Sequence, residues 1–137
     1  MRPTAGWFPP PRAIALVFVG GAAGTAFRAG LVTVTPSDWA VPVGILAINV
    51  VGSFLLAVLV GVLGRVVPLR HGRDLRLLLG TGVLGGFTTY SALAGDTVSL
   101  AAGGDVVTAI LYPAATVLLG VVAALVGVAV VRPVDVG

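Results

Sequence analysis

Residues 80–96 read GTGVLGGFTTYSALAGD. The stretch starts as an apolar helix, is interrupted by Gly85 and Gly86, and continues through Thr88, Thr89, Tyr90 and Ser91. The chain on either side is almost entirely apolar. Backbone that leaves the helix inside a bilayer is tolerated only where it is buried in protein or lines a water-filled or ion-filled space. Adjacent glycines followed by hydroxyls therefore predict a broken transmembrane helix whose freed carbonyls can hold an ion. A plainer reading is a helix that uses small residues for close packing, since Gly82 and Gly86 form a GxxxG pair. The pattern alone leaves both readings open.

Composition decides the surrounding class. Charged residues make up only 9% of the 137 residues, against about 25% in an ordinary soluble domain, while 58% are hydrophobic. With a mean hydropathy of +1.12, a water-soluble fold is excluded, and the length fits one domain. The chain has no Cys, so disulfides, thiol catalysis and cysteine metal sites are absent. It also has no Glu and no Lys, and its net charge of +3 comes from eight Arg against five Asp. In a membrane protein such arginines read first as topology determinants and lipid-headgroup contacts, not as a nucleic-acid patch.

Taken in order, a Pro-rich cationic lead (MRPTAGWFPPPR) comes first, with Pro9, Pro10 and Pro11 expected to prevent helix and Trp7 and Phe8 suited to the membrane interface. No small-residue cleavage site follows the first apolar run, which is expected to be a retained helix and not a signal peptide. Four spans are expected, at about 13–34, 41–63, 77–101 and 106–131, each long enough to cross at about 20 residues per crossing. Turns are expected at Pro36–Trp39 and Gly103–Asp105, and a basic loop at Gly64–Arg76. With four spans, Arg2, Arg12, Arg65, Arg70, Arg73, Arg76 and Arg132 share one side, and the other side has none. The positive-inside rule then puts both termini in the cytoplasm. The expected fold is an all-α membrane protein of four transmembrane helices, the third one broken.

Few residues in the spans can carry chemistry. Arg28 lies deep in the first span, where a charge costs about 2.5–3.5 kcal/mol on insertion scales. It either snorkels to the outer interface or stands at the mouth of an anion pathway. Asn49 either makes an interhelical hydrogen bond or turns an amide donor toward a desolvated anion. Tyr112 and Thr116 share one face of the fourth span at i, i+4, either as packing with a local hydroxyl bond to a carbonyl or as an ion track. His71 is expected to be solvated, and Asp74 and Asp105 to sit near helix ends. No hydrolase triad, HExxH or phosphate loop is present, so an enzyme is not expected.

GGAAGTAFR (20–28), GILAINVVGSF (44–54) and GTGVLGGFTTYSALAGD (80–96), in this order and spacing, closely resemble the small bacterial fluoride channels, the CrcB or Fluc family of camphor-resistance proteins. The resemblance covers about residues 13–131 and is specific through INxxGSF together with GGFTTxS. It implies passive, fluoride-specific export from the cytoplasm by an antiparallel, dual-topology dimer of four-helix subunits in the plasma membrane. It also implies a structural sodium ion held at the dimer interface by the carbonyls of Gly85 and Thr88 from both subunits. Asn49, Tyr90, Ser91, Leu93, Tyr112 and Thr116 would line the fluoride pathway, with Arg28 in the vestibule. Asp96 falls where the family often has an acidic residue.

The physics agrees with this. Carbonyl oxygens suit a hard, small cation, and fluoride needs dense N–H, O–H and aromatic-edge donors to leave water. No titratable acid is expected on the path, which favours passive conduction over proton-coupled antiport. Two departures stand out. The family's paired phenylalanines are Tyr90 and Leu93 here, and the next hydroxyl of the fourth-span track falls at Gly120, which has none. The one-sided arginines also do not suit a chain that inserts both ways, which points to a heterodimer with a related subunit of opposite orientation instead of a homodimer. Other readings are a structural subunit with a dead pore and a small multidrug antiporter, the latter opposed by the absence of Glu.

Overall fold

In the computed structural model the described residues are 9–35, 41–66 and 69–131. The expectations at Trp7, Phe8, the Pro36–Trp39 turn, Arg2 and Arg132 lie outside them, as do the side chains of Arg70 and His71. Among the described residues the chain is all-helical, with four helices long and apolar enough to cross a membrane. Valine-rich stretches form helices here because a bilayer offers the backbone no other donors or acceptors.

The first span is Pro11–Val34. Pro11 is inside it, contrary to the sequence expectation, because a proline at the first helical position gives up an N–H that would be unpaired anyway. The second span is Val43–Val66. The third run opens as an α-helix at Leu69–Leu75, widens into a π-helix at Arg76–Leu84 and returns to one α turn at Gly85–Phe87. It resumes as Tyr90–Ala102. Its start is earlier than expected, since the basic segment Leu69–Leu75 is itself helical. The fourth span is Val106–Val131, with Pro113 inside it.

Between the third and fourth spans the turn is tight. The Gly103 N–H donates to the Ser99 carbonyl at 3.0 Å and the Asp105 N–H to the Leu100 carbonyl at 3.1 Å, which Gly104 permits with a φ of 87°. Asp105 Oδ1 then accepts the Thr108 N–H at 3.0 Å and caps the fourth helix. Hydrogen bonds from the Thr108 hydroxyl and then its N–H hold the Asp105 carboxyl below the ordinary aspartate range.

Spans that are not neighbours in sequence pack together: the first on the third, the second on the fourth. The first contact is backbone on backbone. A Cβ at Gly20 would fall on the Leu78 carbonyl oxygen, one at Gly24 on the Val83 carbonyl oxygen, and one at Gly86 on the Gly21 carbonyl oxygen. A Cβ at Gly82 would stand 2.9 Å from the Gly20 Cα. The two GxxxG pairs thus face each other, which maximises dispersion contact where no hydrophobic effect drives association. In the second contact, a Cβ at Gly127 would stand 2.7 Å from the Phe54 carbonyl oxygen. The Arg12–Asp74 ion pair, at 2.6 Å, puts the starts of the first and third spans at one end.

A small core of Ile45, Ile48, Phe87, Leu93 and Tyr112 fills the space between the spans. Phe18 (74% exposed) and Val34 (77%) point outward, as hydrocarbon-facing residues do. Gly24→Val should therefore cost at least about 1–3 kcal/mol of overpacking strain and abolish a monodisperse species on size exclusion in mild detergent. Gly30→Ala should behave as wild type, because a Cβ there meets nothing within 4 Å.

Candidate functional site

The helix does not leave its path at Gly85. Gly85 is helical (φ −65°, ψ −34°), and the backbone becomes extended only at Thr88 (φ −74°, ψ 156°) and Thr89 (φ −151°, ψ 122°). The sequence expectation put the interruption three residues too early. Its position is set by a partner in the second span. The Thr89 N–H donates to Asn49 Oδ1 at 2.8 Å, and Asn49 Nδ2 donates to the Thr89 carbonyl at 3.1 Å. One primary amide thus satisfies both backbone groups of the residue that leaves the helix.

Asn49 and Gly52 lie on one helical face, three residues apart. A Cβ at Gly52 would fall on the Thr88 methyl group, so Gly52 makes the room that lets Thr89 reach Asn49. Thr89 also caps the second half of the third span, its Oγ1 accepting the Ala92 N–H at 3.2 Å. Ser91 Oγ lies 3.2 Å from the same Thr89 hydroxyl.

These bonds redirect the donors that a continuous helix would use. The Thr89 N–H, which would have served the Gly85 carbonyl, goes to Asn49. The Ala92 N–H, which would have served the Thr88 carbonyl, goes to the Thr89 side chain. The Gly85 and Thr88 carbonyls therefore each lose an i+4 donor. By contrast, the Leu84 carbonyl accepts from the Thr88 N–H and hydroxyl, both at 3.0 Å. The Gly86 carbonyl accepts from Thr25 Oγ1 and Arg28 Nε, both at 3.3 Å.

Arg28 is thus half-buried and turned inward onto the third span. Phe27 stacks on Phe87 beside it, with ring centroids 5.7 Å apart. The two positions paired by the resemblance diverge. Tyr90 is 82% exposed, whereas Leu93 is buried in the core with Tyr112.

Tyr112 is buried, and its hydroxyl lies 3.1 Å from Asp96 Oδ2 and 3.3 Å from the Pro42 carbonyl. The Asp96 carboxyl group, on the third span, thus takes the phenol of Tyr112 on the fourth, and neither residue lines the cavity on which Asn49 lies. The usable signal was a lone carboxylate inside an apolar span. Thr116 is also buried, and its Oγ1 donates to the Tyr112 carbonyl at 2.8 Å. The sequence also missed Ser53. A Cβ at Gly120 would stand 3.3 Å from Ser53 Oγ, so a second-span hydroxyl occupies the level at which the fourth span has none. Ser53 Oγ donates to the Asn49 carbonyl at 2.8 Å.

Asn49, Ser53, Thr88, Thr89, Tyr90 and Thr116 come together on an open cavity of about 800 Å³, whose wall also includes Leu56, Val60, Val121, Thr81 and Arg76. Gly85 and Leu93 also reach it, while Arg28, Ser91 and Tyr112 do not line it. Among the described residues no cluster of three His, Cys or acidic side chains could hold a metal. Any cation at this site would meet carbonyl oxygens.

The sequence pattern of the family described as CrcB-like protein, Camphor Resistance (CrcB), matches residues 15–128. The chain belongs to this family. It is 49% identical over 119 residues to the protein named Fluoride-specific ion channel FluC 2 of Leifsonia xyli subsp. xyli, covering 86% of this chain and 82% of the other. To the Fluoride-specific ion channel FluC of Novosphingobium aromaticivorans it is 45% identical over 124 residues, covering 88% and 96%. To the Fluoride-specific ion channel FluC 1 of Cutibacterium acnes it is 43% identical over 124 residues, covering 89% and 87%. The CrcB-like family is one of ion channels and not of enzymes. Together with the four spans, this makes the chain a multi-pass membrane protein.

Asn49→Ala would orphan both backbone groups of Thr89, at about 1–3 kcal/mol each. The unfolding midpoint of the detergent-solubilised protein should fall clearly. The midpoint of Ser99→Ala, which loses only an exposed bond to the Gly95 carbonyl, should stay close to wild type.

Proposed function

We propose that this chain is a subunit of a fluoride-specific channel that passively exports fluoride across the plasma membrane. The observation that carries the reading is the Asn49–Thr89 pair on an open polar cavity, in a chain whose relatives bear the name fluoride-specific ion channel. A primary amide has two N–H donors. One is given to Thr89, and the other is free to meet a small anion that has left water. The hydroxyls of Ser53 and Thr116 donate to carbonyls, so one subunit offers few free donors. The cavity is open along its side, and a second subunit closing it would complete the anion's shell. The exposed Tyr90 ring would reach across that junction.

The proposed assembly is an antiparallel dimer with both termini of this chain in the cytoplasm. The carbonyls of Gly85 and Thr88, freed by the Asn49 and Thr89 bonds, fit a structural sodium ion when joined by the partner's pair, since hard cations take oxygen ligands. Sodium would fix the two subunits by charge and is not transported. Fluoride enters cells as neutral HF and ionises at cytoplasmic pH. A passive anion path drains it outward, because a negative-inside potential is worth about 2.3 kcal/mol per charge per 100 mV.

The one-sided arginines favour a heterodimer. A homodimer of opposed copies needs a chain indifferent to orientation, and seven Arg to none is not indifferent. Two of the relatives carry the numbers 2 and 1 in their names, as paired copies would.

Fluoride efflux from liposomes, started with a potassium ionophore and read by a fluoride electrode, tests the reading. The assembled channel should release fluoride and no chloride. Asn49→Asp should cut the flux by more than about tenfold, since about 1.4 kcal/mol of repulsion suffices for that factor. Chloride release, or flux indifferent to Asn49→Asp, would sink the proposal. The chain reconstituted alone should not conduct until a related subunit of reversed arginine bias is added. Fluoride-selective flux from the chain alone would overturn the heterodimer and leave the channel standing.

A further inference from the structure

Among the described residues, the cavity that holds Asn49 and Thr116 has one charged wall residue, Arg76. Arg76 is the first residue of the π-helical segment, at the end of the molecule where the Arg12–Asp74 pair lies. It is exposed. Its side chain folds back over the second span, so that a Cβ at Gly64 would stand 3.5 Å from Nη2. The cavity therefore runs from a guanidinium at the membrane surface, past Ser53 and Thr116, to the Asn49 amide.

The charges at this end are not equivalent. Asp74 is the one carboxylate there among the described residues, and it is held by Arg12 at 2.6 Å. No described carboxylate lies within ion-pair distance of Arg76. Arg65 lines a neighbouring apolar groove without Asn49, Thr116 or any freed carbonyl. Among the described arginines, Arg76 is thus the one whose field enters the polar cavity, where low-dielectric walls of Leu56, Leu59 and Val60 focus it on an incoming anion. A guanidinium is also more weakly hydrated than an ammonium and stays charged at any working pH.

We infer that Arg76 is the anion-collecting residue at the arginine-rich mouth of the fluoride path, raising the local anion concentration ahead of the Asn49 amide. The inference rests on the fluoride-channel reading. It gives Arg76 a role different from that of Arg28, whose Nε is bound to the Gly86 carbonyl. A mouth charge acts through solvent, so it must be sensitive to salt.

The test is single-channel fluoride current through the assembled channel in bilayers of neutral phosphatidylcholine, with ionic strength set by an impermeant salt. At about 0.01 M the screening length is about 30 Å, and at about 1 M it is about 3 Å. Arg76→Gln should lower the inward-limited current from the mouth side about threefold at low salt, the enrichment that one unit charge about 7 Å away produces in water. At high salt the variant and wild type should coincide, and Arg76→Lys should resemble wild type throughout.

Equal currents for wild type and Arg76→Gln at low salt would overturn the inference while leaving the channel intact. So would a loss that does not depend on salt, or one seen only in anionic lipid, which would make Arg76 a lipid-headgroup anchor. A wild-type assembly that passes no fluoride would overturn the channel reading itself. Asn49→Asp in the same bilayers separates that failure from a failure confined to Arg76.

Discussion

A peptide group that leaves the helix inside hydrocarbon must find its partners elsewhere, and Asn49 is where Thr89 finds both. The rest of the subunit is arranged so that this meeting can occur. Gly52 clears the approach of Thr88, and the glycines of the first span let the third span lie backbone to backbone against it. A Cβ at position 52 would hold Thr88 off the second span and carry Thr89 away from the one short amide that bridges to it. The interruption is then a bonded structure and not a defect in the helix.

The pattern of hydrogen bonding around the interruption is selective. Leu84, Gly86 and Thr89 carbonyls all have named donors, from Thr88, from Thr25 and Arg28, and from Asn49. Gly85 and Thr88 are carbonyls whose helical donors have been diverted to side chains, the Thr89 N–H to Asn49 and the Ala92 N–H to Thr89. Serine and threonine hydroxyls in the cavity mostly donate to carbonyls and present lone pairs. A polar lining rich in lone pairs suits cations at the carbonyls. Anion selectivity must then rest on a few N–H and O–H groups and on charge, which is why the positions of Asn49 and the arginines matter more than the number of hydroxyls.

Four spans, the glycine pairs and the lone Asn49 were legible in the sequence because each breaks a monotonous apolar pattern. Small residues at i, i+4 announce a close helix contact, and Gly20, Gly24, Gly82 and Gly86 make one. What was not legible was anything fixed by a partner on another helix. Gly85 and Gly86 are the weak helix formers, yet the backbone turns at Thr88, because Asn49 lies opposite Thr89 and not opposite the glycines. Likewise, Asp96 and Tyr112 are on different spans, and only packing brings their side chains to 3.1 Å. Tyr90 and Leu93 stand one helical turn apart and near one face, yet packing buries Leu93 in the core and leaves Tyr90 exposed. Pro11 was misread because its cost depends on position within the helix and not on its identity alone.

The pairing of first with third and second with fourth spans bears on how the chain is made. The first and second spans each enter the bilayer before the helix they chiefly pack against has been synthesised. The first span must wait in lipid with Gly20 and Gly24 bare and Arg28 without the Gly86 carbonyl that later receives it. The first two spans touch each other little and so make no hairpin unit of their own, and assembly is interleaved. A nascent chain of two spans would be a membrane-inserted polypeptide without its main packing partners, open to quality-control proteases until the third span meets the first and Val106–Val131 meets the second.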